Sequence, residues 1–110
     1  MATRVLVVVW DGCRPDLVSA QSTPYLWSLA ERGVVCNNSR VAFPSHTRVS
    51  SSSFITGCYP DRHTIAGNEM YVPEINPEKA INVGDRAAVL ALAELHGGKL
   101  FPVPTLCEAL

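Results

Sequence analysis

The longest apolar segment of this chain lies near its start. Residues 5–10, Val-Leu-Val-Val-Val-Trp, form a continuous, mostly β-branched run in which apolar and polar residues do not alternate. Such a run is typical of a strand that is buried on both faces, as in a parallel sheet covered by helices. Asp11 and Gly12 follow, and both residue types favour a turn. The pattern therefore predicts that residues 5–10, the apolar run, form a central parallel strand.

Three further segments have the signals of helices. Residues 23–32 begin with Thr23 as a helix cap and Pro24 at the first helical position, and a glycine follows as a stop. Residues 47–56 are mostly small, and their consecutive serines would let a helix pack closely against a sheet. Residues 85–95 are rich in Ala and Leu and precede two glycines. Shorter strands are predicted over residues 33–36, 40–43 and 100–103.

The last residues of the chain carry a helix-start signal. Thr105 and Glu108 match the capping box, in which a threonine caps the helix and a glutamate three residues later reaches back to it. The chain nevertheless stops at Leu110, whereas an isolated helix needs about 12 residues to be even marginally stable in water. The pattern therefore predicts a sequence that is truncated at its carboxyl end.

The composition excludes several classes of function. Nine Lys and Arg stand against ten Asp and Glu, so the net charge is −1 and no basic surface for nucleic acid or an anionic membrane is expected. With 47% hydrophobic residues the chain is not intrinsically disordered. The apolar run is shorter than the roughly 18 residues of a membrane span, and no signal peptide is visible. We therefore expect a cytoplasmic globular chain with neither nucleic acid nor membrane as partner.

Cysteine usage points to the same compartment. The four cysteines, Cys13, Cys36, Cys58 and Cys107, are widely spaced and contain no CxxC pair. An even number of cysteines indicates a disulfide framework only in a secretory context, which is missing here. We predict free and mostly buried thiols.

Two residues stand where catalytic chemistry is placed in α/β proteins, and each has a simpler explanation. Asp11 follows the apolar run, at the carboxyl end of a strand where ligands bind, but it could instead make only an Asx-type turn with Gly12. Thr47 opens a predicted helix, where backbone N–H groups and the helix dipole favour anions. It could equally be an ordinary N-cap threonine. Position alone leaves both alternatives open.

Four motifs in order connect these residues to a known family. They are residues 5–12, Phe43-Pro-Ser-His-Thr47, Thr56-Gly-Cys-Tyr-Pro-Asp-Arg-His63 and Gly67-Asn68-Glu-Met-Tyr71. Together they resemble the nucleotide pyrophosphatase/phosphodiesterase family of the alkaline phosphatase superfamily. The resemblance implies an α/β fold, a partial three-layer sandwich with a mostly parallel sheet and flanking helices. It also implies that residues 1–110 are the amino-terminal portion of one catalytic domain.

The resemblance implies roles for three residues. Asp11 matches the first carboxylate ligand of one of two zinc ions, and Thr47 matches the nucleophile, which binds the same zinc. Asn68 matches the amide that holds a nonbridging phosphoryl oxygen. His63 falls in a structural loop, and the remaining Asp and His ligands would lie outside this chain. The chain alone is therefore expected to bind zinc weakly and to lack activity.

The implied chemistry is hydrolysis of a phosphodiester or nucleotide-like small molecule through a phosphothreonine intermediate. Metal coordination is one way to activate a threonine hydroxyl, and two metals about 4 Å apart can stabilise an in-line displacement. The sequence departs from the family at His46, where relatives often carry Lys or Glu, and at Val49-Ser50, which replaces a common Pro-Asn. These departures leave the substrate and its leaving group open.

Three alternatives remain at this stage. One is a noncatalytic small α/β domain in which Thr47 is only a helix cap. Within the superfamily, phosphonate or phosphomonoester hydrolysis is a second alternative. Residues 58–62, Cys-Tyr-Pro-Asp-Arg, also fit the sulfatase pattern Cys-x-Pro-x-Arg, but they follow Thr56-Gly57, whereas in sulfatases the motif precedes the Thr-Gly pair. Nothing in the sequence predicts the oligomeric state.

Overall fold

The computed structural model of the protein describes residues 4–109. The described residues divide into two compact units, one that ends at Ser39 and one that begins at Arg40. None of the helices within the described range has the length and apolar composition needed to cross a membrane. In chain order the elements are a 3-10 helix (Pro15–Leu17), α1 (Pro24–Arg32), α2 (Thr47–Thr56), α3 (Pro60–His63), β1 (Glu69–Met70), β2 (Ile81–Asn82), α4 (Arg86–Leu95) and α5 (Leu106–Ala109).

The apolar run of the first unit does not form the strand that its sequence predicts. Residues 5–10 belong to no helix or strand, and their side chains are exposed, from 52% at Val7 to 87% at Leu6. A parallel strand needs neighbouring strands to satisfy its backbone N–H and C=O groups and helices to cover its faces. Among residues 4–109 no strand pairs with the apolar run. The prediction of a buried central strand is therefore wrong for this structure.

The helix of the first unit was predicted correctly, although its cap works differently. α1 begins at Pro24 and ends before Gly33, as the sequence indicates. Thr23 is at the N-cap position, but its hydroxyl makes no bond to the first turn of α1. It accepts a hydrogen bond from the Ser19 N–H at 3.0 Å and donates one to the Ser19 carbonyl at 3.2 Å. The threonine therefore closes the preceding turn.

The second unit contains the two other predicted helices, α2 and α4, the short α5, and α3, which the sequence did not predict. α2 matches the predicted residues, and Gly57, which ends it, adopts the left-handed conformation with φ of 65°. α4 begins one residue later than expected. α2 packs against α3 and α5, and of its serines Ser52 is buried whereas Ser51 is exposed. The expected packing of this helix against a sheet is not seen.

The capping box at the end of the chain is half formed. The Glu108 carboxylate accepts the backbone N–H of Thr105 at 2.7 Å, as the motif predicts. The Thr105 hydroxyl donates to the same carboxylate at 3.0 Å. Lys99 bonds to Glu108 at 2.8 Å, and this bond, aided by those from Thr105, lowers the pKa of Glu108 to about 2. The short helix α5 is thus tied to the segment that follows α4.

The core of the second unit lies between the strand pair and α4. β1 and β2 form a two-stranded antiparallel sheet in which Glu69 pairs with Asn82 and Met70 with Ile81. The predicted strands at residues 33–36, 40–43 and 100–103 are not formed. The described residues therefore combine helices with one small antiparallel sheet, and the predicted mostly parallel sheet is not confirmed. The buried core cluster consists of Ile65, Ile81, Val83, Ala88 and Leu92.

The cysteines are reduced but not buried. All of them are free thiols, as predicted. Cys58 is partly buried, whereas Cys13, Cys36 and Cys107 are exposed. The expectation of mostly buried thiols is wrong, because three of the four residues are exposed.

Candidate active site

Thr47 is the first residue of α2, not its cap. His46 occupies the N-cap position, and its carbonyl accepts the first helical hydrogen bond, from Ser50 N–H at 2.9 Å. Thr47 therefore lies inside the first turn, where backbone N–H groups have no partner within the helix. Its side chain is exposed. The geometry does not fit the N-cap explanation and places the hydroxyl where anions are favoured.

Asn68 reaches the same turn from a distant part of the sequence. Its side-chain Oδ1 accepts the backbone N–H of Arg48, the residue after Thr47, at 3.4 Å. Its backbone carbonyl accepts the N–H of Val83 at 2.9 Å. The oxygen and nitrogen of this amide are assigned from the hydrogen-bond pattern: Oδ1 accepts the Arg48 N–H, and Nδ2 can donate to another group. A donor beside Thr47 is what the predicted role of Asn68 requires.

Asp11 lies in a turn that ends the apolar run. Gly12, which follows it, has φ of 72° in the left-handed region, where glycine is favoured. The Cys13 N–H donates to the Trp10 carbonyl across this turn at 3.5 Å. The Asp11 side chain is exposed. Asp11 belongs to the first compact unit, whereas Thr47 and Asn68 belong to the second.

The described residues do not complete a zinc site. Asp11 and Thr47 offer oxygen donors that suit zinc, but a catalytic zinc normally needs about three protein ligands and one open position. Within residues 4–109 no group of three His, Cys, Asp or Glu side chains comes close enough together to hold a metal. His46 occupies the N-cap position of α2 without a side-chain capping bond, and His96 lies at the C-cap of α4 with its Nδ1 3.0 Å from the Leu100 carbonyl. Among residues 4–109 neither histidine belongs to a group of three metal-binding side chains.

A serine–histidine pair in the second unit looks catalytic but is structural. His63 Nε2 lies 2.9 Å from the Ser53 hydroxyl, and the His63 ring is fully buried. Its Nδ1 accepts the backbone N–H of Ile65 at 3.1 Å, so the ring proton must be on Nε2. A ring that donates to serine cannot take the serine proton. His63 therefore joins α2 to α3, with its ring edge against Phe101.

The neutral state of His63 predicts a pH dependence of stability. Burial lowers the pKa of His63 below its ordinary value of 6.5, although an interaction with the backbone of His63 itself and the charge of Asp61 partly oppose this. Since the unfolded chain then binds the proton more readily, stability is full above pH 6.5 and is lost as the pH falls towards the lower folded pKa. Urea unfolding at several pH values should show a decrease below pH 6.5.

A matched pair of variants isolates this effect. His63→Gln, which stays neutral, should lose the decrease between pH 7 and 5, whereas His46→Gln at the exposed cap should retain it. Equal pH profiles for the wild type and His63→Gln would contradict the assignment.

Sequence reasoning did not identify Arg48 as part of this region. Its backbone N–H holds Asn68, and its guanidinium lies beside Gly84 in the turn between β2 and α4. A basic residue directly after a candidate nucleophile is the signal that could have drawn attention to it.

A cavity of about 330 Å³ opens next to Thr47 and Arg48. Its remaining wall is formed by Ser51, Ser52, Ile55, Ile65, Val83, Val89, Leu100 and Phe101.

Comparison with known proteins agrees with the motifs. Residues 5–104 match the family model of type I phosphodiesterase / nucleotide pyrophosphatase. A bis(5′-adenosyl)-triphosphatase of Mus musculus is 33% identical over 64% of this chain and 15% of its own length. An uncharacterised pyrophosphatase/phosphodiesterase of Schizosaccharomyces pombe is 39% identical over 63% of the chain and 14% of its length. Human ectonucleotide pyrophosphatase/phosphodiesterase family member 1 is 36% identical over 60% of this chain and 7% of its own length.

The matches cover only a small part of each relative. This chain spans about a seventh of the length of the first two proteins. No solved structure matches it.

Proposed function

Because this chain belongs to the type I phosphodiesterase/nucleotide pyrophosphatase family, we propose that it carries the nucleophile of a phosphodiester or pyrophosphate hydrolase. The substrate class we propose is a nucleotide-like small molecule. The mouse relative is named for hydrolysis of a bis-adenosyl triphosphate, and the fission yeast relative for pyrophosphatase and phosphodiesterase activity.

The observation that carries the proposal is the meeting of Thr47 and Asn68 at the start of α2. Thr47 presents a hydroxyl among helix N–H groups, and Asn68 is held on the neighbouring N–H at 3.4 Å. A phosphoryl group placed at the Thr47 hydroxyl would meet donors from the helix backbone and from the Asn68 amide. Such preorganised donors stabilise the charge that develops as the hydroxyl oxygen attacks phosphorus.

In the proposed reaction the Thr47 oxygen bonds to phosphorus and the ester oxygen of the leaving group departs. Water then hydrolyses the phosphothreonine ester and releases the second product. In the complete protein Asp11 and Thr47 would each offer an oxygen ligand to zinc, and the metal would favour loss of the Thr47 proton and neutralise phosphate charge. The chain's own residues supply the nucleophile and the oxygen-holding donors.

Metal dependence tests this proposal. The complete protein that contains this chain should hydrolyse bis(p-nitrophenyl) phosphate, lose that activity on chelation and regain it with zinc. Activity that survives exhaustive chelation, or no hydrolysis in the presence of zinc, would overturn the proposal. Phenyl phosphate and a phosphonate monoester, assayed in parallel, decide between the phosphodiesterase and the other reactions of the superfamily.

The isolated chain should behave differently from the complete protein. Since residues 4–109 bring no three metal-binding side chains together, we expect weak zinc binding and no turnover by residues 1–110 alone. Calorimetric titration with zinc and the same diester assay check this. Turnover by this chain that disappears in Thr47→Ala would show that the ligand set is complete within it.

A further inference from the structure

We infer that the Arg48 guanidinium recognises a second anionic group of the substrate, next to the phosphoryl group that Thr47 attacks. This inference rests on the proposed function, because it adds to the same site a preference for phosphoanhydrides, which carry a further phosphate, over diesters with a single phosphorus. Arg48 is then a specificity-determining residue, whereas Thr47 and Asn68 act on the reacting phosphoryl group itself.

Arg48 and the candidate nucleophile border the same cavity of about 330 Å³. Thr47 and Arg48 are consecutive residues in the first turn of α2, so their Cα atoms are about 3.8 Å apart across a trans peptide. Neighbouring phosphates of a phosphoanhydride share one bridging oxygen, and their charges are therefore also close together. A phosphoryl group at the Thr47 hydroxyl would leave the next phosphate within reach of the long Arg48 side chain.

The Arg48 guanidinium lies at the turn that follows β2. A Cβ atom built at Gly84 would be 2.9 Å from Arg48 Nη2, so the guanidinium is next to this turn. The preceding residue, Val83, donates its N–H to the Asn68 carbonyl at 2.9 Å and forms part of the cavity wall. The positive charge therefore lies near the segment that carries the amide proposed to hold a phosphoryl oxygen.

The charge of the cavity wall is positive. Among the described residues that form this wall Arg48 is the only charged one, six others are apolar, and the rest carry hydroxyl groups. The ion pairs within residues 4–109 are Arg14–Asp16 and Lys99–Glu108, so no described carboxylate pairs with the Arg48 guanidinium. A guanidinium has five N–H donors and forms paired hydrogen bonds to a phosphate. This wall therefore favours a substrate with an anionic group beyond the reacting phosphorus.

Two thymidine nucleotides test the inference in the complete protein. Thymidine 5′-triphosphate has further phosphates beyond the one that is attacked, whereas the p-nitrophenyl ester of thymidine 5′-monophosphate has none. Both yield thymidine 5′-monophosphate, so kcat/KM is measured for each from the same product by chromatography. Arg48→Met keeps the backbone N–H and should lower the ratio of kcat/KM, triphosphate over ester, about tenfold, as expected for loss of a hydrogen bond to a charged group. Arg48→Lys keeps a point charge and should recover part of the ratio.

Arg40→Met is the matched control for the lost charge. Arg40 is also an exposed arginine of the second unit, but it borders a different cavity. Arg40→Met should leave the ratio of kcat/KM within about twofold of the wild type. An equal decrease in both variants would assign the effect to net charge and overturn the inference. An unchanged ratio in Arg48→Met would also overturn it, while the proposed hydrolysis would stand.

A binding measurement separates this inference from the proposed function. A thymidine triphosphate analogue with a methylene group between its α and β phosphorus atoms is not cleaved there, and calorimetry gives its Kd for the complete protein. Arg48→Met should raise this Kd about tenfold, whereas Arg40→Met should not change it. No binding by the wild type, or equal Kd values for the wild type and Arg48→Met, would overturn the role of Arg48 whether or not the protein is a hydrolase. A raised Kd in Arg48→Met, together with a wild type that hydrolyses neither nucleotide, would support that role and reject the proposed reaction.

Discussion

Thr47→Ala in the complete protein should abolish hydrolysis of phosphodiesters. The variant removes the oxygen that attacks phosphorus, and loss of a nucleophile from a covalent mechanism lowers kcat by on the order of 10⁶. The fold should survive, because the Thr47 side chain is exposed and alanine is the best helix former at the first position of α2. The rate is measured from the release of p-nitrophenol from bis(p-nitrophenyl) phosphate, in a continuous or a stopped assay.

Two companion variants define the meaning of that loss. Thr47→Ser keeps a hydroxyl and should retain measurable turnover. Ser39→Ala removes a hydroxyl from an exposed residue outside the wall of the site cavity and should leave the rate within about twofold. An alanine variant at Thr47 that still turns over within tenfold of the wild type would show that a different group attacks phosphorus.

Asn68→Ala should lower kcat by about 10²–10³ with a smaller effect on KM, since one preorganised donor to the developing charge is removed. Asn68→Asp should be at least as damaging, because it replaces the Nδ2 donor by an oxygen of negative charge and leaves the shape nearly unchanged. Steady-state kinetics on the same diester separate kcat from KM.

Asn76 provides the control for this substitution. Its Oδ1 accepts the N–H groups of Glu78 and Lys79, each at 3.0 Å, in the loop between β1 and β2. Asn76→Ala should therefore lower Tm and leave kcat nearly unchanged. If Asn68→Ala reduces activity only in proportion to its loss of stability, the amide has a structural role and the assignment fails.

α1, α2 and α4 could be predicted because their signals are local, whereas the short 3-10 helix and α3 were missed. Pro24 and the glycines at positions 33 and 57 start or stop helices through their own backbone preferences, and the structure agrees within one residue. Whether the apolar run forms a strand does not follow from local signals, because a strand needs a partner strand to satisfy its backbone hydrogen bonds. In this structure the side chains of the run are exposed. The small antiparallel pair was missed because its two-residue strands lack a periodic pattern.

The sequence motifs name candidate site residues, but they do not predict how these residues are arranged. The motifs pointed to Thr47 and Asn68, yet the bond that brings Asn68 to the first turn of α2 joins residues far apart in sequence. His63 was expected to be structural, and its burial and tautomer agree with that expectation.

The stereochemical course at phosphorus tests the central claim most directly. The complete enzyme would be given a phosphorothioate diester of one configuration in ¹⁸O-labelled water, and the configuration of the product would be determined. Attack by Thr47 followed by hydrolysis of the phosphothreonine ester inverts phosphorus twice, so we predict net retention. Net inversion would mean that water attacks the substrate directly and that Thr47 is not the nucleophile.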